Sequence, residues 1–399
     1  MKEGWEYKTL GEIAKDSADG PFGSNLKKEH YVSEKEVRII QLSNIGEEGW
    51  REDNKKYTSF EHLKAISRSE VCPGDIVIAK MMPAGRAILC PNIEKKYVLS
   101  SDAVKISLKQ GYNNKFVLYS INSSYFRRQV YSNVNGSGRV RTSLTKLRKC
   151  VLHIPDITTQ ESIVSYLDSS FQLIDKIKEK AQKSLSEAKA LFQSALAEAM
   201  EPKEGWEEKT LKEIGLTQTG TTPSKANKAY YGNYIPFIRP SEINIDGIGT
   251  IEYNSEIMLS QKGIEVGRKF SKKSILMVCI GTIGKVGYTE REISCNQQIN
   301  VLSPYNGYNY KYLYYAMSSS KFQKKVIEEG KSAQATLPII NKGKWEKLSL
   351  HIPPLSTQKQ IVSHLDKLSS NVKQIEEKYQ KMVEECDALK QAMLRDVFE

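Results

Sequence analysis

The sequence predicts an α+β (mixed) fold: two homologous α/β globular halves separated by two long antiparallel coiled-coil helices, a dumbbell with pseudo-twofold symmetry. Three observations predict it. The 399-residue chain is too long for one ordinary core, so two domains are the natural expectation. It also repeats itself once, and each copy is followed by a stretch of coiled-coil periodicity.

Residues 1–157 form the first half, beginning with EGWEYKTLGEI at 3–13, which returns as EGWEEKTLKEI at 204–214 with nine of eleven positions identical. LHIPDITTQESIVSYLD at 152–168 returns as LHIPPLSTQKQIVSHLD at 350–366 with eleven of seventeen identical. Between these anchors Ile40, Ser43 and Ile45 match Ile238, Ser241 and Ile243, and Gly85-Arg86 matches Gly284-Lys285 after a β-like apolar run in each copy. Trp5 and Trp206 stand at equivalent places and are expected to pack.

The central helical region, 158–203, is expected to start at a capping box, Thr158-x-x-Glu161, just after Pro155. Its apolar positions include Ile163, Leu167, Phe171, Ile174, Leu185 and Phe192, with Lys178 as a polar break. The second half is 204–355, and the C-terminal helical region is 356–399, with a matching box at Thr357-x-x-Gln360. There Ile361, Leu365, Leu368, Val372, Ile375, Tyr379, Met382, Cys386, Leu389 and Met393 alternate steps of four and three, a seam sustained over several heptads. Each helix would span roughly 60 Å, and the second must run back antiparallel to pair with the first.

The net charge of +12 points to a polyanionic partner, nucleic acid or an anionic membrane surface. The basic excess lies in the halves, +8 over 1–157 and +6 over 204–355, against −1 in each helical region. No apolar run approaches a membrane span and no signal-peptide core opens the chain, so a cytoplasmic location is expected. Six cysteines without a C-x-x-C pair and five histidines without ligand spacing predict buried free thiols and no metal.

Catalytic constellations are missing. Gly281-Thr282-Ile283-Gly284-Lys285 has the wrong spacing for a phosphate-binding loop, and no G-x-S-x-G, H-E-x-x-H or N-P-P-[FY] segment occurs. Pro155-Asp156 with Glu187-Ala188-Lys189 imitates a nuclease pattern, but Glu187 falls on a heptad helix. Binding has better support, because polar loops rich in Gly, Arg, Lys, Asn, Gln and Ser suit phosphate contacts and base-edge readout. Three loops per half qualify. The first holds Ser24, Asn25 and Lys27, matched by Lys225; the second runs from Lys80 to Arg86, matched by Gly281 to Lys285; the third holds Arg139 and Arg141, matched by Lys331 and Gln334. Gln297 and Gln298, after Asn296, could read adenine or form a hydrogen-bonded core edge.

The duplicated I-P-D-I-T-T-Q-E-S-I-V-S-Y-L-D (154–168) and I-P-P-L-S-T-Q-K-Q-I-V-S-H-L-D (352–366) closely resemble the specificity subunits of type I restriction-modification systems. The tail from Leu389 to Arg395 and the G-T-I-G-K-V and N-Q-Q-I-N segments resemble them too, so the likeness covers essentially the whole chain. It implies a non-catalytic subunit with two target-recognition domains, each reading one part of a split site in double-stranded DNA. The helices would set the gap and dock two modification (methyltransferase) subunits, to which restriction subunits add. S-adenosylmethionine, ATP and magnesium would be used by those partners, with none bound by this chain. Gly20-Pro21-Phe22-Gly23 departs from the G-T-P form usual in the first loop. A free-standing two-domain DNA-binding regulator without enzymatic partners is the alternative. Surplus apolar helix positions such as Val164, Leu173, Ile177, Leu191, Val383 and Leu394 speak against it.

Overall fold

The structure, a computed structural model, describes residues 4–81, 83–132, 141–243, 257–330 and 337–399. The architecture is mixed α/β, and the chain divides into two compact units, Met1–Lys180 with Lys381–Glu399, and Ala181–Gln380. Each long helix therefore gives one portion to each unit, so the units are drawn differently from the four segments of the repeat.

Unit 1 contains β1 (Glu6–Thr9), β2 (Ala14–Asp19), β3 (Ile76–Ala79), β4 (Ala87–Leu89), β5 (Ala103–Leu108), α1 (Asn114–Asn122), α2 (Ser124–Ser132), β6 (Val151–Ile154) and the first part of α3 (Ile157–Ala199). The order in its four-stranded sheet is β4-β3-β5-β2, and β1 pairs antiparallel with β6, Glu6 opposite Ile154. Unit 2 repeats this with β7 (Glu207–Thr210), β8 (Gly215–Thr219), β9 (Ile275–Val278), β10 (Val286–Tyr288), β11 (Ile299–Pro304), α4 (Tyr310–Ser318), α5 (Ser320–Gly330), β12 (Ser349–Ile352) and the first part of α6 (Leu355–Phe398). Its sheet order is β10-β9-β11-β8, and β7 pairs with β12, Glu207 opposite Ile352.

The continuous apolar runs sit where both sheet faces are covered. Ile76 and Ile78 face the core beneath α1, while Val77 and Ala79 face a second core on the other side. Ile275 and Met277 against Leu276 and Val278 do the same in unit 2. The repeated T-L-x-E-I is a capping box: the Thr9 N–H donates to Glu12 Oε2 at 2.6 Å and the Thr210 N–H to Glu213 Oε2 at 2.7 Å. Trp5 packs on Phe116, centroids 6.0 Å apart, and Trp206 on Tyr312 at 6.3 Å, as expected.

The long helices begin earlier than the expected capping boxes. Asp156 takes the cap of α3, its Oδ1 accepting from the Thr159 N–H at 3.0 Å, and α6 starts at Leu355, right after Pro354. Thr158 and Thr357 thus lie inside the first turn, and the glutamines that follow do the anchoring. Gln160, almost fully buried, accepts from the Asn113 N–H at 2.9 Å and donates to Pro155 O at 2.9 Å. Gln358 repeats both bonds with the Asn309 N–H at 2.8 Å and Pro353 O at 2.9 Å. Two turns on, Asp168 is held by Lys115 and the Tyr119 hydroxyl, and Asp366 by Lys311 and the Tyr315 hydroxyl. Burial and these carboxylates raise both phenol pKa values well above the usual tyrosine range.

In unit 1, Val164, Leu167 and Ile174 are buried and Ile163 and Phe171 half-buried; Leu394 and Phe398 of α6 enter the same core beside Phe116. In unit 2, Leu185 is buried, while Phe192, Leu196 and Met200 pack with Val362, Leu365 and Val372, flanked by Ile361 and Leu368; Ile375 is half-buried. Met382 is half-buried and Cys386 buried on the last part of α6, in unit 1, but Leu389 departs from the expected seam at 51% exposed. From Cys386 onward the inward positions advance by fours, through half-buried Lys390 to buried Leu394 and Phe398, which join the globular core of unit 1. Val164 and Leu394 are thus core residues and not surplus. The polar break Lys178 bonds Glu48 at 2.7 Å and Asp387 at 3.0 Å; burial opposes its charge, but the two carboxylates outweigh that and raise its pKa. Among the described residues no helix is long and apolar enough to cross a membrane. Five cysteines are buried and free, as expected, whereas Cys72 is exposed.

Candidate functional site

Each unit gathers its loops around a close approach of backbone to backbone. A Cβ on Gly20 would stand 1.7 Å from Ser100 O, and one on Gly220 would stand 2.1 Å from Asn296 O. These glycines are required by space alone. The Gly20 N–H donates to Ala103 O at 3.0 Å, and the Gly220 N–H to Ile299 O at 2.9 Å, fixing the first loop at the end of β2 or β8.

At the neighbouring strand end the chain entering the second segment is bonded to residues that follow the third. In unit 1 the Lys80 N–H donates to Asp102 O at 2.8 Å, and the Thr142 N–H donates to Lys80 O at 2.8 Å. The corresponding bonds in unit 2 run from the Cys279 N–H to Gln298 O at 2.7 Å and from the Ile340 N–H to Cys279 O at 3.0 Å. The matching pattern aligns Lys80 with Cys279 and Ser100-Ser101-Asp102 with Asn296-Gln297-Gln298. Gly85 and Gly284, with φ of +83° and +91°, make the intervening turns in a region where other side chains are strained.

The expected contact residues that the structure describes fall into two groups. Ser24, Asn25, Lys27, Arg141, Lys225 and Gln297 are exposed. Arg141 stands 3.5 Å from Asp102, and Gln297 accepts a hydrogen bond from the Thr222 hydroxyl. The others are half-buried or buried and hydrogen-bonded within their own unit. Lys80 is only 7% exposed and bonds Asp19 Oδ1 at 2.7 Å. Arg86 donates to Leu42 O at 3.3 Å, and burial pulls its pKa below the usual arginine range. Lys285 donates to Pro240 O at 3.4 Å, so in both units this basic side chain clips the equivalent 3-10 turn to the sheet. Gln298 accepts from Asn296 Nδ2 at 2.9 Å, the hydrogen-bonded edge that was one of the two roles open to it. Arg139, Lys331 and Gln334 lie outside the described residues.

Sequence reasoning missed the anchoring pairs Gln160/Asn113 and Asp168/Tyr119 with their copies. The signal was available, since Gln and Asp are identical in both copies of the long repeat. Among the described residues no group of three or more His, Cys, Asp and Glu side chains is placed to hold a metal ion. The arrangement offers hydrogen-bonding and cationic side chains on rigid loop bases, suited to binding.

A family model described as a type I restriction modification DNA specificity domain matches residues 2–186 and again 203–385. The type I restriction enzyme HindI specificity subunit of Haemophilus influenzae is 29% identical over 171 residues, 42% of this chain and 37% of that protein. The MjaIX specificity subunit of Methanocaldococcus jannaschii is 28% identical over 186 residues, 44% of this chain and 41% of that one. The matched stretches thus span about two fifths of these curated relatives. A chain solved in a study of complex assembly and conformational transition of the type I R-M system superposes with a TM-score of 0.75 at 18% identity, covering 99% of this chain and 97% of that one. The HsdS subunit from Thermoanaerobacter tengcongensis gives 0.54 at 18% identity, covering 100% and 97%. At such identities the likeness carries the fold alone.

Proposed function

Because this chain belongs to the type I restriction modification DNA specificity domain family, whose model matches it twice, we propose that each unit reads one part of a split site in double-stranded DNA. The observation that carries this reading is the duplication of one loop arrangement with different exposed chemistry on each copy. Ser24, Asn25, Lys27 and Arg141 stand on one, Lys225 and Gln297 on the other. Two similar scaffolds with different donors and acceptors suit two different half-sites, since base edges are told apart by donor and acceptor pattern. The basic excess of both halves serves the phosphates.

The chain is a non-catalytic reader in this account. Two modification subunits supply methyl transfer from S-adenosylmethionine, and restriction subunits supply the ATP- and magnesium-dependent work. The exposed Leu173 and Ile177 of unit 1 and Leu191 of unit 2, at 62%, 49% and 65%, give apolar footing for such partners.

Selection of duplexes from a random pool by the purified chain, followed by methylation assays with and without a co-expressed modification subunit, tests the reading. Two short motifs at a set gap should be enriched, and methyl transfer should require the second protein. Enrichment of one undivided motif, or methylation by the chain alone, would contradict it.

A further inference from the structure

The tip of the first loop of unit 1 carries an aromatic ring where the rest of the site is polar. Phe22 is 83% exposed, although the residues before it, Gly20 and Pro21, are buried. A phenyl ring in water forgoes the stabilisation of burial, and an untethered loop would fold it back. This loop is tethered at both ends. The Gly20 N–H is bonded to Ala103 O and its Cα is wedged beneath Ser100 O. On the far side the Asn25 N–H closes a turn onto Phe22 O at 2.7 Å, and Asn25 O is 2.8 Å from His62 Nε2. The Lys27 N–H donates to His30 Nδ1 at 3.0 Å, and the rings of His30 and His62 stack with centroids 4.1 Å apart. Two stacked imidazoles thus brace the loop that holds the phenyl ring out.

The ring is followed along the chain by Gly23, Ser24, Asn25, Lys27 and Lys28, all exposed, with the Lys27 ammonium 3.7 Å from the Glu29 carboxylate and Lys28 beside it. That setting favours a polyanion with flat apolar faces inside it, which describes duplex DNA, over an apolar protein face. The equivalent residue in unit 2 is Thr222, whose hydroxyl is engaged by Gln297. Unit 2 therefore has no such ring at this point.

Resting on the DNA-reading role proposed above, we propose that Phe22 is a stacking wedge: it enters the half-site read by unit 1 and lies against a partly unstacked base step, as apolar wedges do in other proteins that deform duplexes. Lys27 and Lys28 hold the flanking phosphates while the ring enters. Readout in this half-site then depends on how easily one step opens, and the other half-site lacks that dependence.

The test uses the full chain and the duplex it selects from a random pool. Phe22→Ala, Phe22→Leu, Phe22→Thr and Phe22→Trp are compared on that duplex and on a scrambled one, with thermal midpoints as the folding control. Ala, Leu and Thr should lose about tenfold to a hundredfold on the selected duplex, the range that base-aromatic stacking carries, and nothing on the scrambled one. Trp should bind within about threefold of the parent, since its ring stacks equally well. Preference should relax at one or two adjacent positions of one half-site, and 2-aminopurine there should brighten with the parent chain and not with Phe22→Ala. Unchanged affinity of the variants would overturn the wedge and leave the DNA-reading role standing. So would an equal loss on both duplexes, or a loss reproduced by replacing thymine with uracil at that step, which would mark a methyl contact. A parent chain that enriches no sequence would remove both proposals.

Discussion

Gly20 and Gly220 occupy the tightest points of the two sites, and nothing in their backbone angles demands glycine. Gly20→Ala should therefore act through the clash with Ser100 O alone. Either the first loop shifts or unit 1 loses about 1–3 kcal/mol, the usual cost of overpacking. Selection from random duplexes should show one half-site relaxed and the other intact. Cysteine chemistry gives a second expectation at this scale. Burial pushes the Cys90 and Cys279 thiols up to about 12, while Cys72 is exposed. A maleimide at neutral pH should label one thiol per native chain, at Cys72, and six after unfolding; a second rapid native label would contradict the burial pattern. That the two copies share one arrangement of polar loops was legible in the sequence, but not which of their side chains stay free. Lys80, Arg86 and Lys285 look like contact residues by type, and each is also bonded to a partner 44 to 61 positions away that only folding brings near.

The long helices were legible as elements, because steps of four and three sustained over several heptads are the mark of helices that pair along a seam. Their ends were not. Heptad arithmetic extends a seam in a straight line, whereas Leu394 and Phe398 follow fours into the core around Phe116 and leave Leu389 outside. The starts were misplaced for a similar reason: Asp156 competes for the cap, and a box pattern inside the first turn carries no mark of its depth. Truncation separates the two descriptions. Phe192→Ala should cost about 3–5 kcal/mol and Leu394→Ala about 2–5, whereas Leu389→Ala should stay within roughly 0.5 kcal/mol. Denaturant midpoints read these differences, and an equal penalty at Leu389 and Leu394 would restore the straight seam.

At the scale of the molecule, unit 2 is one continuous stretch, Ala181–Gln380, while unit 1 is assembled from two stretches separated by two hundred residues. A fragment of residues 181–380 should fold alone, with cooperative unfolding. Residues 1–180 should not, because Phe116 and Leu167 would lose the cover that Leu394 and Phe398 give them. Adding a peptide of residues 381–399 should restore protease resistance to the 1–180 fragment, and resistance without the peptide would refute the dependence. The discontinuity also orders events in time during synthesis. The earlier-made unit must wait with an open core, while the later one can close as soon as its residues emerge. At elongation rates of about 5–20 residues per second, the interval between residue 180 and residue 381 is roughly 10–40 s. Throughout that interval the nascent first unit exposes the apolar surface around Phe116 and Leu167, so it is the half that needs a chaperone and the half on which a slow ribosome or a premature stop falls hardest.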